Sequence, residues 1–327
     1  MQFSPMWMSG CGVLAIAAAW LVLGTHAAAV AAGEGPAFKE VLDRLAEAEG
    51  RLANVVVESE VWEERWKDGH WERSAMQIKG TVWRLAADAG NMRVDARQVL
   101  QWINGAAPHF EREFAAAYDG QAGRVVYHAE GPIGHAAKAR RAEVFRERPR
   151  TLTGPQVSML GGAEFSIYFY GSDGHRTLSE VLRHAADQGA AFEVADGDDE
   201  AGARVDVVLH GPGGRKETWS LAPDRGYALV AYRYTQRDPE NGKEVVRRAM
   251  EVEALAEAAP GLWYPVEGTI TSPGERRHRY QAERVAVNDP AFDAAVFELT
   301  LPAGYRVRDH VRDRIYTAGA SPEGLER

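Results

Sequence analysis

Residues 218–234 constrain the fold of this chain more than any other segment, because two apolar runs are joined there by a tight-turn sequence. Pro223 presets φ for a turn, Asp224 can hydrogen-bond its own backbone, and Gly226 supplies a positive φ. The turn signal therefore has a conformational mechanism and does not depend on polarity alone. A strand, a short turn and a second strand in direct succession predict an antiparallel β protein.

The second of these strands carries apolar side chains on both faces. Its residues form two alternating sets, which are Tyr227, Leu229 and Ala231 on one side and Val230, Tyr232 and Tyr234 on the other. Both faces of such a strand must be shielded from water. The pattern therefore predicts an apolar cavity on one side of the sheet.

The rest of the chain repeats the strand-and-turn pattern and adds a few helices. An amphipathic helix is predicted from Pro36 to near Gly50, and Thr177 with Glu180 forms a capping box that opens another. About ten to twelve strands and two or three helices are expected from the spacing. The predicted fold is mainly β (α+β), with one large curved antiparallel sheet that forms an unclosed half-barrel wrapped around the helices.

The chain begins with an uncharged apolar leader, residues 1–31. Two interpretations remain open: a signal peptide removed on export, which makes the protein periplasmic or otherwise exported, or an uncleaved anchor that holds it at the membrane. The half-barrel domain is expected over residues 35–318, followed by a disordered tail over residues 319–327.

Composition excludes several classes of function. The only cysteine is Cys11, so the remainder of the chain has no disulfides, thiolate catalysis or cysteine-based zinc sites. A formal net charge of −9 argues against nonspecific nucleic-acid binding. No His-Glu-x-x-His pair, Gly-x-Ser-x-Gly elbow or phosphate loop occurs, so we expect no enzyme activity, no metal and no cofactor.

Basic residues crowd the segment 138–150, within a stretch from Gly131 to Pro155 that reads as a lid or a connecting helix. Arg140, Arg141 and Arg146 are its candidate binding residues. Two interpretations are open for these arginines. They form a solvated face, or they form a patch that binds anionic headgroups or a partner protein.

Aromatic side chains provide the remaining signal for a ligand site. The candidate cavity-lining residues are Trp83, Tyr168, Phe169, Trp219, Tyr232 and Tyr264. Such residues pack cores and pair strands, but they also line apolar pockets that hold acyl chains.

Three segments carry a family resemblance: Leu221–Tyr232, Gly261–Pro265 and Phe297–Pro302. With the order of leader, helix, long strands and central capped helix, the region from Phe38 to Ala318 resembles the LolA/LolB-like outer-membrane lipoprotein-sorting family. The resemblance implies an unclosed barrel around helices, an apolar cavity for lipid or acyl chains, and no cofactor. No site residue is carried over from it.

Two functions are therefore expected from the sequence. The first is a non-enzymatic carrier-type domain that binds lipid or the acyl chains of a lipoprotein, with membrane contact that is peripheral or made through the leader. The alternative is an envelope sensor or scaffold that docks a partner protein through a sheet edge or the Arg-rich segment 138–150.

Overall fold

A computed structural model describes residues 36–86, 91–100, 110–133, 135–153, 155–170, 176–199, 202–274 and 276–320. The predicted leader and residues 321–327 of the predicted tail lie outside these ranges. The described residues contain four α-helices: α1 (Pro36–Glu49), α2 (Arg150–Thr153), α3 (Pro155–Leu160) and α4 (Leu178–Asp187).

Fifteen strands form one sheet in the described part of the chain. The strands of the first half are β1 (Asn54–Lys67), β2 (His70–Leu85), β3 (Met92–Leu100), β4 (Phe110–Tyr118), β5 (Gly123–Pro132) and β6 (Ala137–Phe145). The strands of the second half are β7 (Ala191–Asp199), β8 (Gly202–His210), β9 (Lys216–Ala222), β10 (Ala228–Arg237), β11 (Glu244–Ala259), β12 (Leu262–Ser272), β13 (Arg276–Val287), β14 (Arg306–Asp309) and β15 (Arg314–Thr317).

The sheet is an unclosed half-barrel, as the sequence predicts. Its order is β15-β14-β6-β5-β4-β3-β2-β1-β13-β12-β11-β10-β9-β8-β7, so β15 and β7 are its two edges. Adjacent strands are antiparallel except for β14 and β6, which are parallel. The long pairing of β1 with β13 joins the two runs of sequential hairpins into a single sheet.

Local turn chemistry places the hairpins where the sequence predicts them. Asp68 and Gly69 both have positive φ between β1 and β2, and Gly226 has φ 62° between β9 and β10. Thr177 and Glu180 form the predicted capping box at the start of α4. These signals act within a few residues, so no distant contact is needed to satisfy them.

The Gly131–Pro155 stretch differs from its prediction as a lid or connecting helix. It contains the end of β5 and the whole of β6, followed by the short helix α2 and the first residue of α3. Because β14 pairs with β6, the Arg-rich segment lies inside the sheet and offers no free sheet edge. These additional strands raise the number in the described residues above the ten to twelve expected.

The two-faced apolar pattern of β10 has a different cause from the one predicted. A β-bulge between Leu229 and Ala231 shifts the pairing with β9 by one residue. A shift of one residue moves side chains to the other face of a sheet, so Leu229 and Tyr232 are both buried in the same core. The strand therefore buries one face, and its apolar alternation does not require cover on both sides.

The main core lies on the concave face, which we define as the face contacted by the helices. Residues 157–170, which we call the plug, are all buried there. They include the end of α3 and a short 3-10 helix, and they pack beside α1 and α4 in the same apolar cluster. A smaller cluster on the convex face joins Val126 and Ala142 to Val307 beneath the C-terminal residues.

The plug fits closely because the sheet lacks a side chain beneath it. A Cβ placed at Gly268 of β12 would lie 2.6 Å from the ring of Phe165 in the plug, a distance that real Cβ atoms do not adopt. The Phe165 ring also stacks on Tyr280 of β13, with ring centroids 5.2 Å apart. Gly268 thus creates the space that Phe165 fills.

We therefore predict that Gly268→Ala lowers the free energy of unfolding by about 1–3 kcal/mol, because the added methyl group overpacks the core. Urea denaturation followed by circular dichroism measures the change. Gly197→Ala in β7 is the control, since its added Cβ would meet no atom closer than 3.6 Å. Unchanged stability in Gly268→Ala would show that Phe165 is not seated against β12.

Candidate functional site

Five of the six predicted cavity-lining aromatics meet in the concave core. Tyr168 stacks on Tyr264 with ring centroids 6.1 Å apart, and Trp219 packs against Tyr232 at 5.5 Å. Phe169 is 1% exposed and belongs to the same apolar cluster. These five residues therefore pack together in one core, to which both the plug and the sheet contribute.

The polar atoms of these aromatics are bonded to the protein itself. The Trp219 Nε1–H donates to the Tyr170 hydroxyl at 2.8 Å, and the Tyr264 hydroxyl donates to the Gly161 carbonyl at 2.7 Å. The Tyr232 hydroxyl donates to Glu217 at 2.6 Å, and burial raises the pKa of Tyr232 well above its usual value. The bonds of Tyr170 and Tyr264 thus attach the plug to the sheet, and the bond from Tyr232 to Glu217 joins β10 to β9.

Trp83 does not join this group, which corrects the prediction for that residue. It alternates along β2 with the buried Val82 and Arg84, so its side chain lies on the convex face. The Arg93 guanidinium lies over the Trp83 ring, 5.3 Å from its centroid, and donates to the Val296 carbonyl at 3.1 Å. Trp83 therefore packs against Arg93, which is bonded to the C-terminal segment, and it lies on the face away from the plug.

The hollow predicted between sheet and helices is occupied by protein in the described structure. Within the plug, α3 ends at Leu160 and the chain turns at Gly161 and Gly162, where Gly162 has φ 66°. The Ser59 hydroxyl of β1 donates to the Leu160 carbonyl, and Arg248 of β11 pairs with Glu164. The expectation of an unfilled apolar cavity is corrected for this region, because residues 157–170 occupy it.

The three predicted arginines do not form one patch. Arg140 has φ 42° and is exposed at an irregular point of β6, whereas Arg146 is exposed just after that strand. Arg141 lies over the Tyr127 ring at 3.9 Å and donates to both oxygens of Glu130, at 2.8 and 2.9 Å. Only Arg141 contacts the concave core, so the cluster in sequence separates into distinct environments.

Arg112 of β4 is a concave-face residue that the sequence prediction missed. It shares a face with the buried Phe114, and its guanidinium lies 5.1 Å from the centroid of that ring. Its Nε–H donates to the Gln98 side-chain oxygen at 2.8 Å. The local sequence Phe-Glu-Arg-Glu-Phe at 110–114 resembles an exposed strand, and this masks the inward position of the arginine.

A buried carboxyl group joins the two long helices. Glu49, at the end of α1, accepts hydrogen bonds from the Ser179 backbone N–H at 2.8 Å and from the Ser179 hydroxyl in the first turn of α4. Burial raises the pKa of Glu49 to about 7, although the hydrogen bonds from Ser179 oppose the rise. The junction between α1 and α4 therefore changes its charge near neutral pH.

Other types of site find no support in the described residues. No group of three or more His, Cys, Asp or Glu side chains is arranged to hold a metal within that part of the chain. A groove of about 420 Å³ runs along α1, but charged residues line it: Lys39, Glu40, Asp43, Arg44 and Glu47. Over the same described ranges, no helix has the length and apolar character needed to span a bilayer.

Comparison with known proteins gives distant structural neighbours only. No protein-family model matches the chain, and no curated protein matches it in sequence. A candidate outer membrane lipoprotein-sorting protein domain from Vibrio parahaemolyticus is 11% identical with a TM-score of 0.43, covering 80% of this chain and 97% of that one.

Two further neighbours are weaker. A DUF1329 family protein from Desulfovibrio piger is 8% identical with a TM-score of 0.38, covering 79% of this chain and 96% of that one. An uncharacterized conserved protein from Thermus thermophilus is 8% identical with a TM-score of 0.32, covering 84% and 99%. The neighbours thus include a protein with the lipoprotein-sorting description, but similarity at this level does not assign the chain to a family.

The position of Glu49 predicts a dependence of stability on pH. Its pKa is raised from 4.5 to about 7 in the folded protein, so the folded state holds the proton more strongly than the unfolded state. The resulting stabilisation is fully present below pH about 4.5 and is lost as the pH rises through about 7. Glu49→Gln removes this titration and keeps an acceptor for Ser179.

We expect the free energy of unfolding of the unaltered protein to fall between pH 5 and pH 8. This fall exceeds the corresponding change in Glu49→Gln by on the order of 2–3 kcal/mol. Urea denaturation at the two pH values measures the difference. Glu47→Gln, an exposed neighbour on α1, serves as the control and keeps the full pH dependence. Parallel pH profiles for Glu49→Gln and the unaltered protein would contradict the assignment.

Proposed function

We propose that this chain is an exported, non-enzymatic carrier-type domain that binds the acyl chains of a lipid or lipoprotein on its concave face. One observation supports this most: fourteen consecutive buried residues, 157–170, lie on the concave face of an open sheet, in the same apolar cluster as α1 and α4. In this proposal an acyl chain takes the place of the plug. The plug thus protects the apolar face when no ligand is bound.

The connections of the plug favour its displacement. The sheet strands hydrogen-bond to one another, so the sheet does not depend on the plug for its ladder. The plug is attached by side-chain contacts such as Ser59 to the Leu160 carbonyl and Tyr264 to the Gly161 carbonyl. Helices α2 and α3 span only four and six residues, and helices so short have little stability of their own.

The energetics of such an exchange also suit a carrier. Burial of an acyl chain contributes about 0.8 kcal/mol for each methylene removed from water. Withdrawal of the plug exposes apolar side chains and opposes this gain. A ligand that is both taken up and released benefits from this opposition, because the cost of exposing the plug weakens the preference for the loaded state.

Export is part of the proposal and is supported by the apolar leader, with a membrane-anchored form as its alternative. The absence of enzymatic activity is supported by the lack of a catalytic motif in the sequence. The negative net charge supports a ligand other than nucleic acid.

A second candidate function is a sensor or scaffold that docks an envelope partner protein. The filled concave face favours it, because a scaffold needs no ligand cavity. Arg140 and Arg146 are exposed and available for such a contact, whereas Arg141 is paired with Glu130. The edges left for strand addition are β7 and β15, since β14 covers β6.

A reversible disulfide between plug and sheet separates the two functions. A Cβ placed at Gly161 would lie 3.5 Å from the Cβ of Val82 in β2, which is within the range for a disulfide. The variant carries Val82→Cys and Gly161→Cys, together with Cys11→Ser so that no other thiol is present. We predict that the oxidised protein does not bind a fluorescent fatty acid and that reduction restores binding.

The reduced form of the same variant is the matched control, because it contains the same core substitutions without the crosslink. Mass spectrometry of the thiol content establishes that the bond has formed. Equal binding by the oxidised and reduced forms would exclude displacement of the plug. If the unaltered protein binds no fatty acid and copurifies with no lipid, the carrier function itself is contradicted and the scaffold is favoured.

A further inference from the structure

Arg112 differs from three other arginines on the concave face, because no carboxylate among the described residues forms an ion pair with it. Arg141 pairs with Glu130, Arg215 with Glu217, and Arg248 with Glu164. Arg112 makes one hydrogen bond, from Nε to Gln98, and its terminal Nη1 and Nη2 groups donate to no acceptor among the described residues. A half-buried cation in an ordinary core is paired, so this arrangement needs an explanation.

The carboxylates near Arg112 are hydrogen-bonded to Arg141 instead. Glu130 is opposite it on β5, but both oxygens of that carboxylate accept from Arg141. Glu143 is also engaged by Arg141, at 3.4 Å. Burial lowers the pKa of Arg112, and the charge of Arg141 lowers it further, although Glu130 acts in the opposite direction. An anion placed between the two guanidiniums would relieve their repulsion.

The position of Arg112 connects this charge to the apolar face. Its guanidinium lies beside Phe114, which is 1% exposed and belongs to the main core with Val125. Arg141 similarly lies over Tyr127, which pairs with Phe114 across β4 and β5. Cationic groups thus border the same apolar cluster to which the plug belongs. This is the arrangement that a ligand with a charged head and an apolar chain requires.

We propose that Arg112, with Gln98 and Arg141 beside it, binds the anionic head, a carboxylate or a phosphate, of an amphipathic acyl ligand. The proposal rests on the proposed carrier function for the position of the acyl chain. The Nη1 and Nη2 groups of Arg112 supply parallel donors that suit two oxygens of one anion. Arg141 adds positive charge near the anion while it keeps its bonds to Glu130.

The test compares three probes at pH 8: oleate, oleyl alcohol and inorganic phosphate. Oleate and oleyl alcohol share a chain and differ in the charge of the head, whereas phosphate is an anion without a chain. Dissociation constants are measured by isothermal titration calorimetry for the unaltered protein, Arg112→Gln and Arg97→Gln. Arg97 is the matched control, since it lies on neighbouring β3 and pairs with Glu111 away from the concave core.

For the unaltered protein we expect the dissociation constant of oleate to be lower than that of oleyl alcohol by a factor of about ten or more. A charge-assisted hydrogen bond contributes a difference of about this size. Arg112→Gln loses this preference and still binds oleyl alcohol as the unaltered protein does. Arg97→Gln retains the preference. Equal binding of oleate and oleyl alcohol by the unaltered protein, or an undiminished preference in Arg112→Gln, would overturn the assignment of Arg112 and leave the carrier function intact.

The phosphate experiment tests whether the anion site exists without the carrier function. Phosphate binding that is lost in Arg112→Gln, without binding of either oleyl probe, would support an anion site for a free anion and contradict the acyl ligand. If none of the three probes binds, both the anion site and the carrier function are overturned.

Discussion

The contact between the plug and the concave face is the interaction on which the rest of the structure depends. An open antiparallel sheet of this size has a broad apolar face, and that face is unstable in water unless something covers it. Here residues 157–170 cover it, while α1 and α4 complete the layer. The sheet satisfies polar atoms of the plug through Ser59 and Tyr264, so the burial of irregular backbone does not leave these carbonyls unpaired.

Local signals in the sequence predicted much of the fold. The turn at Asp68 and Gly69 and the capping box at Thr177 depend on residues close in the chain, so they could be read without tertiary knowledge. The parallel pairing of β14 with β6 joins segments more than 150 residues apart, and no short pattern encodes it. The same limit applies to the bulge at Leu229, which changes the face of the following side chains.

The candidate site was only partly predictable for a related reason. The aromatic residues of the core were identified by type, but Trp83 showed that type does not determine the face of a strand. Residues 157–170 are rich in apolar side chains, yet their position on the concave face depends on strands that are distant in the sequence. Arg112 was missed because its neighbours in β4 are charged, and its isolation becomes visible only when the partners of Arg141 are known.

The central claim is that ligand and plug compete for one surface, and hydrogen–deuterium exchange with and without oleate tests it most directly. The account predicts that oleate increases amide exchange in residues 157–170 while the amides of β1 and β13 remain protected. Increased protection of residues 157–170, or no change there at a saturating concentration of bound oleate, would contradict it.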